Sequence, residues 1–419
     1  MPGIRIQPVV LISILSIVML LSSPQLTDAQ QVPHPFAVAA QSAVLMDANS
    51  GQVLYGQDPH KRMKPASFVK LLTLFLIFDS IDQGQILLED TVWISKKAWR
   101  TGGSKMFVRA GTRIPLVELI KGIAVVSGND ACVAVAEFLQ GSEQAFVDRM
   151  NRKSRELGLE DSKFQTVNGW PAQEQYTSAM DMAVLARAYV RTYPQALEYH
   201  RLKEFTHENI RQRNRNVLLW RDPSVDGLKT GHTQEAGFHL LGTAKRGEQR
   251  FIAVVMGAES EAIREREARR LLNYGFRNFV AVELFQKGEV LAQLSVWKGV
   301  EGRLDLAAGE HGVVTVPISQ QEEVSWRAEI PERLMAPVER GQTVGHVLIT
   351  SNEKVLKDIP LLADGEIPAA GFFKRTLHAI ALLTWSQAKL LIFTFLLLSA
   401  ATGLFFYLKQ RRPRRWRKP

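Results

Sequence analysis

The chain has 419 residues, 46% hydrophobic and 22% charged, an ordinary globular composition with room for two or three domains. Its formal net charge is +10, but the last eleven residues hold seven Lys or Arg, and the remainder carries only about +3, which removes most of the case for a nucleic-acid partner. The single cysteine, Cys132, excludes an internal disulfide or a multi-cysteine metal site, and the nine histidines show no H-x-x-x-H or H-E-x-x-H spacing, which argues against a zinc hydrolase.

In chain order, Arg5 precedes an apolar run over 9–21, then a short polar stretch ending at Ala29. That pattern predicts a secretory signal peptide over 1–29. "SAVLMDANSGQVLYGQDPH" predicts a hairpin over 42–60, turning at Asp47-Ala-Asn-Ser-Gly51. A mostly apolar helix follows over 63–80. Residues 113–140 and 142–158 read as further helices. "SAMDMAVLARAYV" is a helix with Ser178 as its N-cap. From Gly237 a hairpin turns at Arg246-Gly247, and "EAIREREARRLLNYGFRNF" returns to helix. One antiparallel sheet packed with helices accounts for this order, giving a main domain over 30–282.

Residues 283–366 change texture, with short alternating runs such as "VLAQLSVW" and "GVVTVPIS" between Gly, Pro and charged turns. They predict a small all-β domain. Residues 371–389 suggest an amphipathic helix at a membrane surface, with Trp385 near the interface. Residues 390–408 are nineteen in a row without a charge. As helix they would reach about 28 Å, close to the hydrocarbon thickness. The basic tail at 409–419 fits the positive-inside rule. The expectation is an exported protein held by a C-terminal membrane helix in the inner membrane, its main body on the periplasmic or extracytoplasmic side.

Candidate chemistry begins at "MKPASFVKLLTLFLIF", where Ser67 and Lys70 lie three residues apart at the start of an apolar helix. Residues at i and i+3 share a helix face, and a neutral lysine there could take the serine proton. The S-x-x-K pattern alone is weak. It also occurs at Ser295/Lys298, Ser351/Lys354 and Ser386/Lys389, where no partner motifs follow. Two more motifs strengthen the first. Ser127-Gly128-Asn129 stands at a helix junction, and Lys229-Thr230-Gly231 leads into a strand. Taken singly they would be a helix cap and a solvated turn. In the order S-x-x-K, S-G-N, K-T-G they form a set with a known mechanical meaning.

Together with "AWRTGGSKMFVRAG", "FQTVNG", "QYTSAMDMA", "VDGLKTGHT" and "EREARRLLNYGF", these motifs resemble the low-molecular-mass penicillin-binding serine D-alanyl-D-alanine carboxypeptidases. The likeness runs over about residues 37–282. It implies a serine β-lactamase/transpeptidase-like catalytic domain with no cofactor and no metal. Its partners would be peptidoglycan stem peptides and β-lactams. Ser67 would be the nucleophile, Lys70 the base and Ser127 the proton relay. Asn129 would hold the substrate amide and help place Lys70. Lys229 and Thr230 would bind the terminal carboxylate, with Gly231 allowing close approach. The backbone N–H groups of Ser67 and His232 would form the oxyanion hole, and Arg266 would assist at the carboxylate. A second cation, Lys229, together with burial would lower the Lys70 pKa. The resemblance leaves open a D,D-endopeptidase acting on cross-links and a non-catalytic peptidoglycan-binding scaffold. A β-lactamase of the same fold is disfavoured, because residues 142–229 contain no Glu-x-x-x-Asn. Two departures stand out. Residues 99–106 form a shorter loop than the resemblance suggests, and Asn168-Gly169-Trp170 replaces the usual Gly-Leu ending. Cys132 reads as a small core residue, and "RQRNRN" (211–216) as a solvated turn.

Overall fold

A computed structural model of the chain describes residues 35–372, 376 and 385–410. The expected signal peptide and basic tail, and most of the expected surface helix, lie outside these residues.

Strands β1 (Ser42–Asp47) and β2 (Val53–Gln57) form the expected hairpin. All six residues of β1 are buried. That fits its place between two other strands with both faces covered, where an unbroken apolar run replaces alternation. A 3₁₀ turn, Ala66–Phe68, leads into α1 (Val69–Asp82). The helix therefore begins after Ser67 and not at Met63. Pro65 disfavours helical geometry before it, and Ala66 adopts φ +46°. From Val69 to Phe78 every side chain of α1 is buried. Each buried Leu, Ile or Phe there contributes about 1.5–3 kcal/mol.

Next come β3 (Thr91–Trp93), α2 (Lys96–Arg100) and β4 (Arg113–Pro115), with β3 paired to β4. The helix expected over 113–140 is two helices, α3 (Leu116–Val125) and α4 (Asn129–Gln140). The break is at Ser127, whose φ of +61° no helix accepts. Helices α5 (Glu143–Glu156) and α6 (Ala179–Thr192) follow, and Ser178 caps α6 by accepting from the Asp181 N–H. Short elements not foreseen from the sequence come next: α7 (Leu197–His200), β5 (Glu204–His207), β6 (Ile210–Arg213) and α8 (Leu218–Arg221). The expected solvated turn at 211–216 is instead partly strand. Its Asn214 and Asn216 are buried, donating to the carbonyls of His200, Leu202 and Gly227.

Strands β7 (Val225–Thr233), β8 (Gly237–Arg246) and β9 (Gln249–Ala258) complete an antiparallel sheet of order β2-β1-β9-β8-β7. α9 (Glu261–Asn278) covers one face and the earlier helices the other. β7 is a sheet edge, so one row of its backbone groups has no strand partner.

The second domain is all β, as expected: β10 (Phe279–Phe285), β11 (Val290–Trp297), β12 (Arg303–Ala308), β13 (Gly312–Pro317), β14 (Val324–Glu329), β15 (Leu334–Met335), β16 (Thr343–Ser351) and β17 (Lys354–Ala363). β10 pairs with β13, and the rest form a six-stranded sheet around a core that includes Leu306, Val347, Ile349 and Leu361. It touches the first domain where Ser50 Oγ meets Thr315 Oγ1 at 2.6 Å. The final helix, α10, runs Trp385–Gln410. Among the described residues no helix is long and apolar enough to cross a membrane.

Candidate active site

The three motifs come from three structural sources: the turn before α1, the break between α3 and α4, and edge strand β7. Ser67 is half-buried, while Lys70 and Ser127 are buried beside it. Lys70 Nζ donates to Ser67 Oγ at 3.0 Å, and Ser127 Oγ donates to the same atom at 3.0 Å. The left-handed backbone at Ala66 and Ser127 costs about 1–3 kcal/mol at each and is what turns these hydroxyls toward each other. β7 runs against the same turn. A Cβ added to Gly231 would lie 3.4 Å from Ser67 N and 3.3 Å from Ala66 Cβ. Lys229 and Thr230 on that strand are buried.

A serine hydroxyl thus lies between a buried amine and a second hydroxyl, against an open strand edge. A family model described as D-alanyl-D-alanine carboxypeptidase matches residues 28–260, and one described as the C-terminal domain of penicillin-binding protein 5 matches residues 279–369. The chain belongs to the D-alanyl-D-alanine carboxypeptidase family. It is 37% identical to D-alanyl-D-alanine carboxypeptidase DacC of Escherichia coli (strain K12), covering 85% of this chain and 91% of that one. Its fold is similar to penicillin binding protein 5 from Haemophilus influenzae, with a TM-score of 0.77 and 36% identity over 80% of this chain and 99% of that one. The ampicillin-bound Penicillin-Binding Protein D2 from Listeria monocytogenes is 26% identical, with a TM-score of 0.54, over 58% of this chain and all of that one (100%).

Within this family member, electrostatics follow from burial. Desolvation brings the Lys70 ammonium down to about 8, with Arg215 the cation that adds to it. Lys229 is pushed well below its ordinary value, first by burial and then by the charges of Lys70 and Arg215. The expected mutual effect of the two lysines thus falls on Lys229, and burial is the main cause at Lys70. Two buried ammonium groups this close do not both stay charged without an anion between them.

Several assignments shift. Lys70 is held by the carbonyl of Asn168, to which its Nζ also donates. Asn129 Nδ2 donates to Gly102 O at 2.8 Å, and the Lys70 ammonium donates to Ser67 Oγ and Asn168 O. His232 is exposed, its ring stacked on Phe238 at 4.0 Å. Arg266 does not join the cluster. Its side chain is 62% exposed and donates to Glu267 Oε1 at 2.8 and 2.7 Å. The arginine that turns inward is Arg264. It is 2% exposed, its guanidinium lies 5.6 Å from the Phe238 ring centre, its Nε has no partner, and its charge is felt at Lys229. From N-cap Ser260, position 264 lies one turn in, on the face of α9 toward the sheet, and 266 lies on the far side. That helical period was the available signal for Arg264. For Asn168 and Arg215 a backbone carbonyl and an exposed charge left no local signal.

Cys132 is buried, and its thiol is pushed up to about 12 by desolvation, which fits a core residue.

Proposed function

We propose that this protein is a serine D-alanyl-D-alanine carboxypeptidase that removes the terminal D-alanine from peptidoglycan stem pentapeptides through an acyl-enzyme. The observation that carries it is Ser67 Oγ held at 3.0 Å from both Lys70 Nζ and Ser127 Oγ. The terminal carboxylate docks at Lys229, Thr230 and Arg264. An anion there favours the charged form of Lys229 and leaves Lys70 as the neutral partner. Lys70 takes the Ser67 proton, and Oγ forms an ester with the carbonyl of the penultimate D-alanine. The backbone N–H groups of Ser67 and His232 stabilise the oxyanion. The C–N bond breaks, and the leaving amine receives its proton through Ser127. Water then hydrolyses the ester. Asn129 and the open edge of β7 hold the peptide, with Asn129 Oδ1 and its second N–H left to it while Nδ2 keeps its bond to Gly102 O.

β-Lactams would acylate the same oxygen, as a family relative seen with ampicillin bound suggests. A D,D-endopeptidase would use the same residues, and the leaving group separates the two in an assay: free D-alanine from a pentapeptide, a second stem peptide with a free amine from a cross-link. We further propose export by the segment 1–29 and attachment through 390–408. The support is the uncharged run in the sequence and the exposed Leu390, Phe395, Leu398 and Phe405 on α10. The catalytic domain would then face the periplasmic or extracytoplasmic side.

The test is incubation of the purified protein with a pentapeptide ending in D-Ala-D-Ala. Free D-alanine is expected, and none from Ser67→Ala. Labelled penicillin attaching to Ser67→Ala as it does to wild type would refute the nucleophile.

A further inference from the structure

Trp170 is 50% exposed, yet its position is fixed. Its backbone N–H donates to Asn168 Oδ1 at 2.9 Å, and its backbone carbonyl accepts from Gln175 Nε2 at 3.0 Å and Thr166 Oγ1 at 3.3 Å. The indole lies across the loop that precedes Lys105. A Cβ added to Gly103, at φ +77°, would fall 2.8 Å from Trp170 Cζ3 and 2.6 Å from Asn129 Nδ2. The ring and the Asn129 amide therefore meet at one point on the rim of the cleft. Only glycine leaves room there for both. Two residues earlier, the Asn168 carbonyl holds Lys70. The segment that carries the indole thus also supplies the carbonyl to which Lys70 donates.

A tryptophan that served packing alone would hide most of its large apolar surface. Here half of it faces solvent beside the residue that holds a substrate amide. Its ring meets Asn129, the residue proposed to hold the substrate amide, and so borders the acyl-donor side of the substrate in that reading.

We propose that Trp170 selects the acyl donor. Its bare face takes an apolar side chain on the residue preceding the two D-alanines, and likewise the acyl side chain that a β-lactam carries on the corresponding amide. This rests on the serine-acylation function above and adds a substrate class to it: peptides with an extended apolar stem at that residue, over those with a methyl group.

The experiment compares wild type, Trp170→Phe and Trp170→Ala as detergent-solubilised full chains. Acylation rates are measured with benzylpenicillin and with 6-aminopenicillanic acid, which lacks the acyl side chain. Release of D-alanine is measured from acetyl-norleucyl-D-Ala-D-Ala and acetyl-alanyl-D-Ala-D-Ala. Both ratios, large over small, are expected to fall about tenfold in Trp170→Ala and to be mostly retained in Trp170→Phe. Because each ratio is internal to one variant, general damage to the Asn168–Lys70 contact cancels. Ratios within about twofold of wild type in Trp170→Ala overturn the proposal, whether or not the rates fall together. A wild type that shows the penicillin ratio and its loss, but releases D-alanine from neither peptide, refutes the carboxypeptidase function and leaves the selection by Trp170 standing.

Discussion

Replacing Asp130 by Asn should destabilise the catalytic domain and slow acylation, although Asp130 touches no reacting atom. Its carboxylate is 1% exposed and accepts four backbone N–H groups: Met106 and Ala131 on Oδ1 at 3.0 Å each, and Phe107 and Val108 on Oδ2 at 2.9 and 3.2 Å. Three of those donors belong to the loop whose Gly102 carbonyl accepts from Asn129. Asn keeps one oxygen and turns an NH₂ toward two amide donors. Hydrogen bonds to a charged group contribute about 1.5–3 kcal/mol each, so two lost bonds cost about 3–6 kcal/mol. Removing a desolvated charge offsets part of this, leaving about 3 kcal/mol net. For a domain of this size that is a Tm lower by about 6–12 °C in calorimetry. The loosened loop should also cut the penicillin acylation rate by about tenfold, since Ser127 and Asn129 flank Asp130. A Tm within about 2 °C of wild type, with unchanged acylation, would show that the carboxylate does not hold the loop.

Three further outcomes follow from the buried charges. The acylation rate constant kcat/KM should rise with pH through about 8, where Lys70 loses its proton, and a flat profile from pH 6 to 9.5 would remove Lys70 as the base. Lys229→Met should lower kcat/KM for the peptide by at least about tenfold, with KM rising. A change under about threefold, which is less than 1 kcal/mol, would count against the carboxylate role. Stability should fall as pH drops from about 6.5 toward 4, because burial lowers His200 and His239 to about 4 in the folded protein while the unfolded chain binds those protons from 6.5 downward. Replacing both histidines by Gln should flatten that part of a Tm-against-pH curve, and an unaltered slope would place the effect elsewhere.

Much of this architecture was legible because local chemistry and fold agree. The buried run of β1, the Ser178 cap and the turn between β8 and β9 are each decided by residues within one element. The three motifs were legible for a different reason: their order and spacing are covalent facts, and the fold only had to bring them together. What was not legible is where tertiary contacts overrule local pattern. Val125 and Asn129 read as one continuous helix until the α3–α4 junction is seen to bend at Ser127, a left-handed serine kept there by its contact with Ser67. Arg264 and Arg266 are chemically equal in sequence, and helix phase against the sheet separates them. Asn168 holds Lys70 through a carbonyl, an atom every residue has, so no residue type could advertise it.

The same logic explains why the site departs from local rules. A helix start free of strain would place Ser67 on a regular first turn, and a regular α3–α4 helix would point Ser127 elsewhere. Instead, the backbone is left-handed at Ala66 and Ser127, a lysine is fully buried at position 70, and a second one lies at 229 with its ammonium disfavoured. Each of these costs stability, and the burial of α1 and the sheet offsets the sum. All of them converge on one oxygen, Ser67 Oγ. Strain and desolvation spread at random through a fold would be removed by substitution. Concentrated around a single serine, they make the neighbouring amine easier to deprotonate and keep the hydroxyl aimed, which is what the proposed acyl transfer needs.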